Sequence, residues 1–399
     1  MNFLKDIGGN RLVWALSLAR MGDAVGNSVL FVVLPLYVSA LPHPLVSAHE
    51  PLLVAVLIAV FGFLSAIMQP VTGALSDWTH RPKLLIQIGL GIMIAATVGF
   101  IWAGQYVDLL WLRVVQGIGL AFTVPASLAL MAIGTRHGTR GGSMGIFTTM
   151  RIVGFSMGPL LGGFLLVHFG FSATFGVAAG LVALGIAAVG VWVPEQSPSS
   201  ERRKFRLVEP GLFTPGILAI ATAALVMAAA FSEIVPLEKQ INAHTGETAV
   251  GFGLSFTALM LSRLLLQFPL GRLSDHIGRK PLVIGGLLIL APATALLATA
   301  HSTWALAGWR VMQGVAAAAI AAPAFAIAGD LAKGGGEGRQ MSATTMGFTM
   351  GLALGPLLAG WLVSYSFELP FIITAVLCIA SAAAIFRFVP ETVQRAGRR

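Results

Sequence analysis

The sequence predicts an all-α membrane protein of twelve transmembrane helices arranged as two parallel six-helix halves. Three observations predict it. The 399-residue chain is 56% apolar and only 10% charged, with a mean hydropathy of +0.86, whereas a soluble domain carries ~25% charged residues. Apolar runs long enough to cross a bilayer, ~20 residues each, follow one another along the whole chain. Four short motifs recur in one order at an offset close to 197 residues. Transmembrane β-strands would be short and alternating, and these runs are continuously apolar.

The first half holds spans at 12–40, 51–76, 83–104, 109–134, 142–167 and 172–193. Span 1 contains Arg20 and Asp23 and runs past Leu34 without a small-residue cleavage site, which excludes a cleavable signal. Span 2 ends in Gly73-Ala-Leu-Ser-Asp77, with Arg81 just beyond. Span 3 has no charge in its interior. Span 4 carries Arg113-Val-Val-Gln116-Gly117, and span 5 carries Arg151 followed by Gly154, Gly158-Pro159 and Gly162-Gly163. Span 6 is uncharged and closes on Val193-Pro194-Glu195. Close glycines let helix backbones approach, so many of the 47 glycines are expected to be packing positions.

A polar linker, 194–211, separates this half (1–193) from the second (212–399). The second half repeats the first with spans at 212–240, 249–274, 281–301, 304–332, 340–365 and 369–388. The loop motif returns as Gly271-Arg-Leu-Ser-Asp275, and the span 4 motif as Arg310-Val-Met-Gln313-Gly314. Gly355-Pro356 and Gly360 repeat the span 5 run, and Val389-Pro390-Glu391 repeats the end of span 6. An even number of spans per repeat makes the halves parallel, related by an axis along the membrane normal.

Orientation follows from the basic residues. All of the 25 lysines and arginines except Arg20, Arg113, Arg151, Lys239, Arg263 and Arg310 fall on the side that bears both termini. That side is expected to be cytoplasmic, in the inner or cytoplasmic membrane. The net charge of +9 is thereby topological, and a nucleic-acid partner is not expected. The single cysteine, Cys378, forms no internal disulfide, and no Cys/His spacing suits a metal. No H-E-x-x-H, G-x-S-x-G or ATP-binding loop is present, so an enzyme is not expected. Energy then comes from an ion or substrate gradient, without a cofactor.

These motifs resemble the major facilitator superfamily along the whole chain. The second loop matches the family's Gly, Leu, Asp, Gly, Arg, Lys pattern through Gly271, Asp275, Gly278, Arg279 and Lys280. The first departs from it, with Trp78 at a usually basic position, His80 at a usual Gly, and Lys83 after Pro82. The resemblance implies that Asp77 and Asp275 clasp Arg81 and Arg279 near a neighbouring helix end, with Asp330 a candidate partner. The Gly154, Gly158-Pro159, Gly162-Gly163 run resembles the family's antiporter motif, and Leu109 through Gly119 its drug–proton antiporter motif. The spacing of Asp23 to Leu34-Pro35 is similar to that of tetracycline exporters, with Val32 replacing their earlier proline.

An ionisable residue at mid-bilayer costs ~2.5–3.5 kcal/mol on insertion scales, so each interior charge is a functional candidate. They are Arg20, Asp23, Arg113, Arg151, Glu233, Arg263 and Arg310. The resemblance puts all seven on cavity-lining spans 1, 2, 4, 5, 7, 8, 10 and 11. Asp23, ~16 Å in from the cytoplasmic end at 1.5 Å per residue, is the expected first proton site, with Arg113 tuning it and Glu233 as the second. A fixed ion pair of Asp23 with Arg20 or Arg151 is the competing reading. Arg20, Arg151, Arg263 and Arg310 are expected to charge the cavity. The expected function is proton-coupled export of small amphipathic molecules by a monomer, with substrate, protons and lipid as partners. The excess of guanidinium groups leaves a second reading open: transport of organic anions, sugars or lipid-like metabolites by symport or uniport.

Overall fold

A computed structural model describes residues 10–41, 50–79, 81–134, 140–194, 214–246, 248–331 and 337–392. The linker at 195–211 and the side chain of Asp77 lie outside the described residues. The described chain is entirely helical. Its helices are α1 (Arg11–Ala40), α2 (Glu50–Thr79), α3 (Pro82–Gly99), α4 (Tyr106–Gly134), α5 (Arg140–Trp192), α6 (Pro215–Ser232) and α7 (Glu238–Thr245). They continue with α8 (Ala249–Ile277), α9 (Arg279–Ala295), α10 (Thr303–Asp330), α11 (Glu337–Leu362) and α12 (Leu369–Phe388).

Among the described residues eleven helices are long and apolar enough to cross a membrane. One of them counts twice. α5 has 53 residues; straight, it would reach about 80 Å at 1.5 Å per residue, far beyond a ~30 Å hydrocarbon core. It turns at Gly170, whose φ of 77° and ψ of −178° are non-helical and suit a residue without Cβ. Spans 5 and 6 are therefore joined by a single glycine hinge, inside the break the sequence places at 168–171.

The expected span at 212–240 corresponds to one candidate membrane span, Pro215–Thr245, whose helix is interrupted. α6 ends at Ser232, a 3-10 turn covers Val235–Leu237, and α7 follows as a separate short helix. Pro236 sits in that turn and cannot donate a helical hydrogen bond. Local chemistry sets the other starts. Asn10 Oδ1 accepts from Val13 N–H at 2.8 Å, and Ser302 Oγ accepts from Ala305 N–H at 3.2 Å. Pro82, Pro215 and Pro370 occupy first-turn positions, where a missing N–H costs nothing.

Residues 1–46 and 60–207 form one compact unit, and residues 47–59 and 208–399 the other. In the first, α1 packs along α5 and α3 along α4. A Cβ on Gly154 would lie 2.6 Å from the Met21 carbonyl oxygen, and one on Gly162 3.1 Å from that of Val29. Ser28 fills the space at Gly158 and donates to the carbonyls of Val25 and Gly154, both at 3.3 Å. In the second unit, α11 packs on α6 and α8 on α10. Gly347, Gly351 and Gly355 there meet the backbone of Ala221, Leu225 and Ala229 in the same way. Large apolar side chains such as Ile67, Leu184, Leu265 and Phe386 are exposed. In water such a surface would be an aggregation hazard, and on membrane-spanning helices it is expected.

Candidate functional site

In the first unit the centre is on α1. Arg20 and Asp23 are three residues apart, hence on one helix face, and Arg20 Nη1 donates to Asp23 Oδ2 at 2.7 Å. Asp23 is 4% exposed, so it faces protein and not lipid. Thr123 and Ser127 of α4 and Ile86 and Leu90 of α3 surround the pair and leave no room for a water molecule. Arg151 of α5 is within Coulombic reach of the carboxylate.

Arg113 does not pair with Asp23. Its Nη1 donates to Gln116 Oε1 at 3.0 Å and to Asn27 Oδ1 at 3.4 Å, and Gln116 Nε2 donates to Thr97 Oγ1 at 2.9 Å. The second unit repeats this chain. Arg310 Nη1 donates to Gln313 Oε1 at 2.7 Å, and Gln313 Nε2 to Thr294 Oγ1 at 2.9 Å. Both guanidiniums are completely buried and sit over a phenyl ring, Phe61 at 5.1 Å and Phe256 at 4.3 Å. Arg310 also donates to the Phe231 carbonyl at 3.1 Å. A motif that makes the same bonds in both halves pins α4 to α3, and α10 to α9 and α6.

Glu233 caps the broken end of α6 and is 1% exposed. Thr374 of α12 donates its hydroxyl to Glu233 Oε2 at 2.5 Å, while Oε1 has no hydrogen-bond partner among the described residues. Arg263 of α8 stands between two rings, Phe231 of α6 at 5.8 Å and Phe348 of α11 at 5.9 Å. So charges sit in the interior of each unit, on broken or glycine-rich helices.

The model of the Major Facilitator Superfamily matches residues 16–242 and 220–399. The chain belongs to the major facilitator superfamily. This facilitator is 28% identical over 345 residues to the uncharacterized MFS-type transporter YuxJ of Bacillus subtilis (strain 168), covering 82% of this chain and 86% of that one. It is 27% identical over 370 residues to the multidrug resistance protein MdtG of Dickeya zeae (strain Ech586), covering 89% and 88%. Its fold is that of a bacterial homolog of the human lysosomal transporter Spinster in an inward-facing and occupied conformation, with TM-score 0.75, 16% identity and 94% and 95% coverage. It is also that of the human organic anion transporter MFSD10, with TM-score 0.71, 18% identity and 94% and 99% coverage. The chain is thus a multi-pass membrane transporter of this superfamily.

The facilitator's second loop is assembled as its motif implies. Arg279 pairs with Asp275 at 3.2 Å and with Asp330 at the end of α10. Gly278 takes φ +110°, a turn that disfavours side chains. Glu391 accepts from the N–H groups of Arg279 and Lys280 at 3.1 and 3.3 Å, placing an anion at the positive start of α9. Lys280 Nζ donates to the Phe386 carbonyl at 2.8 Å. In the first loop, Lys83 donates to the Gly190 carbonyl at 3.1 Å, so the lysine anchor survives where the motif departs. Arg81 is exposed and makes no ion pair among the described residues. Gly73 and Gly271 sit on α2 and α8 beside Pro125 and Ala322.

Two features escape a reading by charge and motif alone. The glutamine–threonine ends of the arginine pins were visible only as a further repeat, Thr97 with Thr294. Glu238, in the short helix after the break, is completely buried; it lies near the end of the expected span 212–240 and is not among the interior charges named from the sequence.

Proposed function

We propose that this facilitator is a proton-coupled exporter of small amphipathic molecules. It works by alternating access as a monomer in the cytoplasmic membrane, with both termini inside, drawing on the proton gradient and no cofactor. The Arg20–Asp23 pair carries this reading. A carboxylate deep in a membrane helix is tolerated charged because a guanidinium holds it at 2.7 Å. Protonation removes that partner's reason to stay, so Arg20 and α1 must find other contacts. The α1–α5 glycine seam gives α1 a tight contact along which such a change is felt by the neighbouring helix. Proton and substrate become coupled when each binds one conformation better than the other. Glu233, at the break in α6, is the second proton carrier. Arg113 acts by holding α4 in place rather than by touching Asp23. The names of the multidrug resistance relatives support an amphipathic cargo.

The test is transport in proteoliposomes under an imposed pH gradient, with cationic, neutral and anionic solutes. At least one solute is expected to move against protons. Asp23→Asn is expected to lose gradient-driven transport while keeping gradient-free exchange. A wild-type driven rate in Asp23→Asn overturns the assignment.

A further inference from the structure

Three of the guanidiniums in the interior of the described membrane helices have polar partners. Arg20 has Asp23, Arg113 has Gln116 and Asn27, and Arg310 has Gln313 and the Phe231 carbonyl. Arg263 differs. Among the described residues it makes no hydrogen bond and no ion pair; it meets only the faces of Phe231 and Phe348, and its Nε is buried without a partner. Cation–π contacts are worth ~0.5–2 kcal/mol each, less than the several kcal/mol needed to hold an unpaired charge at membrane depth. The partly buried side chain therefore carries hydrogen-bond donors that no group among the described residues accepts from.

The internal repeat points the same way. Arg113 and Arg310 occur in both halves and serve the scaffold. At the loop motif's offset of 198, Arg263 corresponds to Ser65, so the second half alone carries this charge. One turn further along α8, on the same face, Gln267 has a buried side-chain oxygen with no partner. Arg263 itself is only partly buried, so its donors can be reached. The site offers a planar fork of donors for an anion and, in Phe348, a partly exposed phenyl ring for an apolar body, while the fully buried Phe231 backs the guanidinium.

We infer that Arg263, Phe231 and Phe348 form a subsite for the anionic head of an aromatic or amphipathic substrate, a carboxylate or a similar oxyanion. This rests on the reading of the chain as an exporter of amphipathic molecules and narrows its cargo. Arg263 binds the head by charge-assisted hydrogen bonds while Phe348 packs against the body and the buried Phe231 backs the guanidinium.

The experiment is equilibrium binding to the full-length protein in lipid nanodiscs, at one pH and without a gradient. The probes share a ring system and differ in the head: 2-naphthoate, 2-naphthylmethanol and 2-naphthylmethylammonium. Wild type is expected to bind the naphthoate at least ~10-fold more tightly than the alcohol, the size of one charged hydrogen bond, and the ammonium more weakly still. Arg263→Gln is expected to erase the naphthoate preference and leave the alcohol's affinity within ~2-fold. It is also expected to raise the thermal unfolding midpoint, whereas loss of a structural contact would lower it. Equal or tighter binding of the ammonium by wild type overturns the inference, and that comparison needs no variant. So does a preference that persists in Arg263→Gln. Failure of proton coupling in Asp23→Asn leaves these binding results untouched, so the two readings fall separately.

Discussion

Removing one member of the Arg20–Asp23 pair strands the other in the interior of the first unit, which typically costs ~3–5 kcal/mol. Asp23→Asn is therefore expected to lower the unfolding midpoint as well as uncouple transport. Arg20→Gln with Asp23→Asn removes both charges, and its midpoint is expected to return most of the way to wild type while proton-driven transport stays lost. Thermal unfolding and driven transport measured on the same three proteins check this; driven transport regained by the double variant would assign the proton to another group. The pair was legible in the sequence, because Arg20 and Asp23 lie three apart in an apolar run and so on one helix face. The partners of Arg113 were only partly so. Residue type says that a buried guanidinium needs an acceptor, but several acceptors lie within its reach. Gln116, three residues along the same helix, follows the rule that pairs Arg20 with Asp23; packing of α4 against α1 is what adds Asn27 and leaves Asp23 to Arg20.

At the scale of elements, the glycine runs on α5 and α11 set how closely helices approach. A Cβ on Gly154 would meet the Met21 carbonyl oxygen at 2.6 Å, backbone against backbone, with no flexible end to move aside. Gly154→Leu is expected to destabilise the protein by roughly 2–3 kcal/mol, in the range of overpacked cores, read as a lower unfolding midpoint. Gly180→Leu, where an added Cβ would meet nothing within 4 Å, is expected to be tolerated. Equal effects would show that the α1–α5 seam does not limit packing. The seam was readable from spacing alone. The break after α6 was less so: Pro236 stands in an otherwise continuous apolar stretch, and a proline inside a membrane helix can kink it or end it. Here the chain ends the helix and buries Glu233 at the cap. Gly170 joined two expected spans into one continuous element because a single residue of positive φ suffices for the turn.

Across the whole molecule, charge placement fixes orientation. Apolar length decides that a segment inserts, but not which end faces the cytoplasm; lysine and arginine near the span ends decide that. The connection that contains Gln105 carries no basic residue, whereas the loop from Arg272 to Lys280 carries Arg272, Arg279 and Lys280. Gln105 and His276 are both exposed. Cys378 is the single cysteine of the chain and is buried, so native protein gives little background to an aqueous thiol reagent. A membrane-impermeant maleimide applied to intact cells is expected to label Gln105→Cys and to spare His276→Cys until the membrane is opened. The reverse pattern would invert the topology and place the Asp275–Arg279–Asp330 cluster outside. Labelling of both from outside would mean that the parity of spans between them is wrong. Residues 105 and 276 are separated by spans 4 to 8, an odd number, so they must emerge on opposite faces only if the 53-residue α5 crosses the membrane twice and α6 with α7 crosses it once.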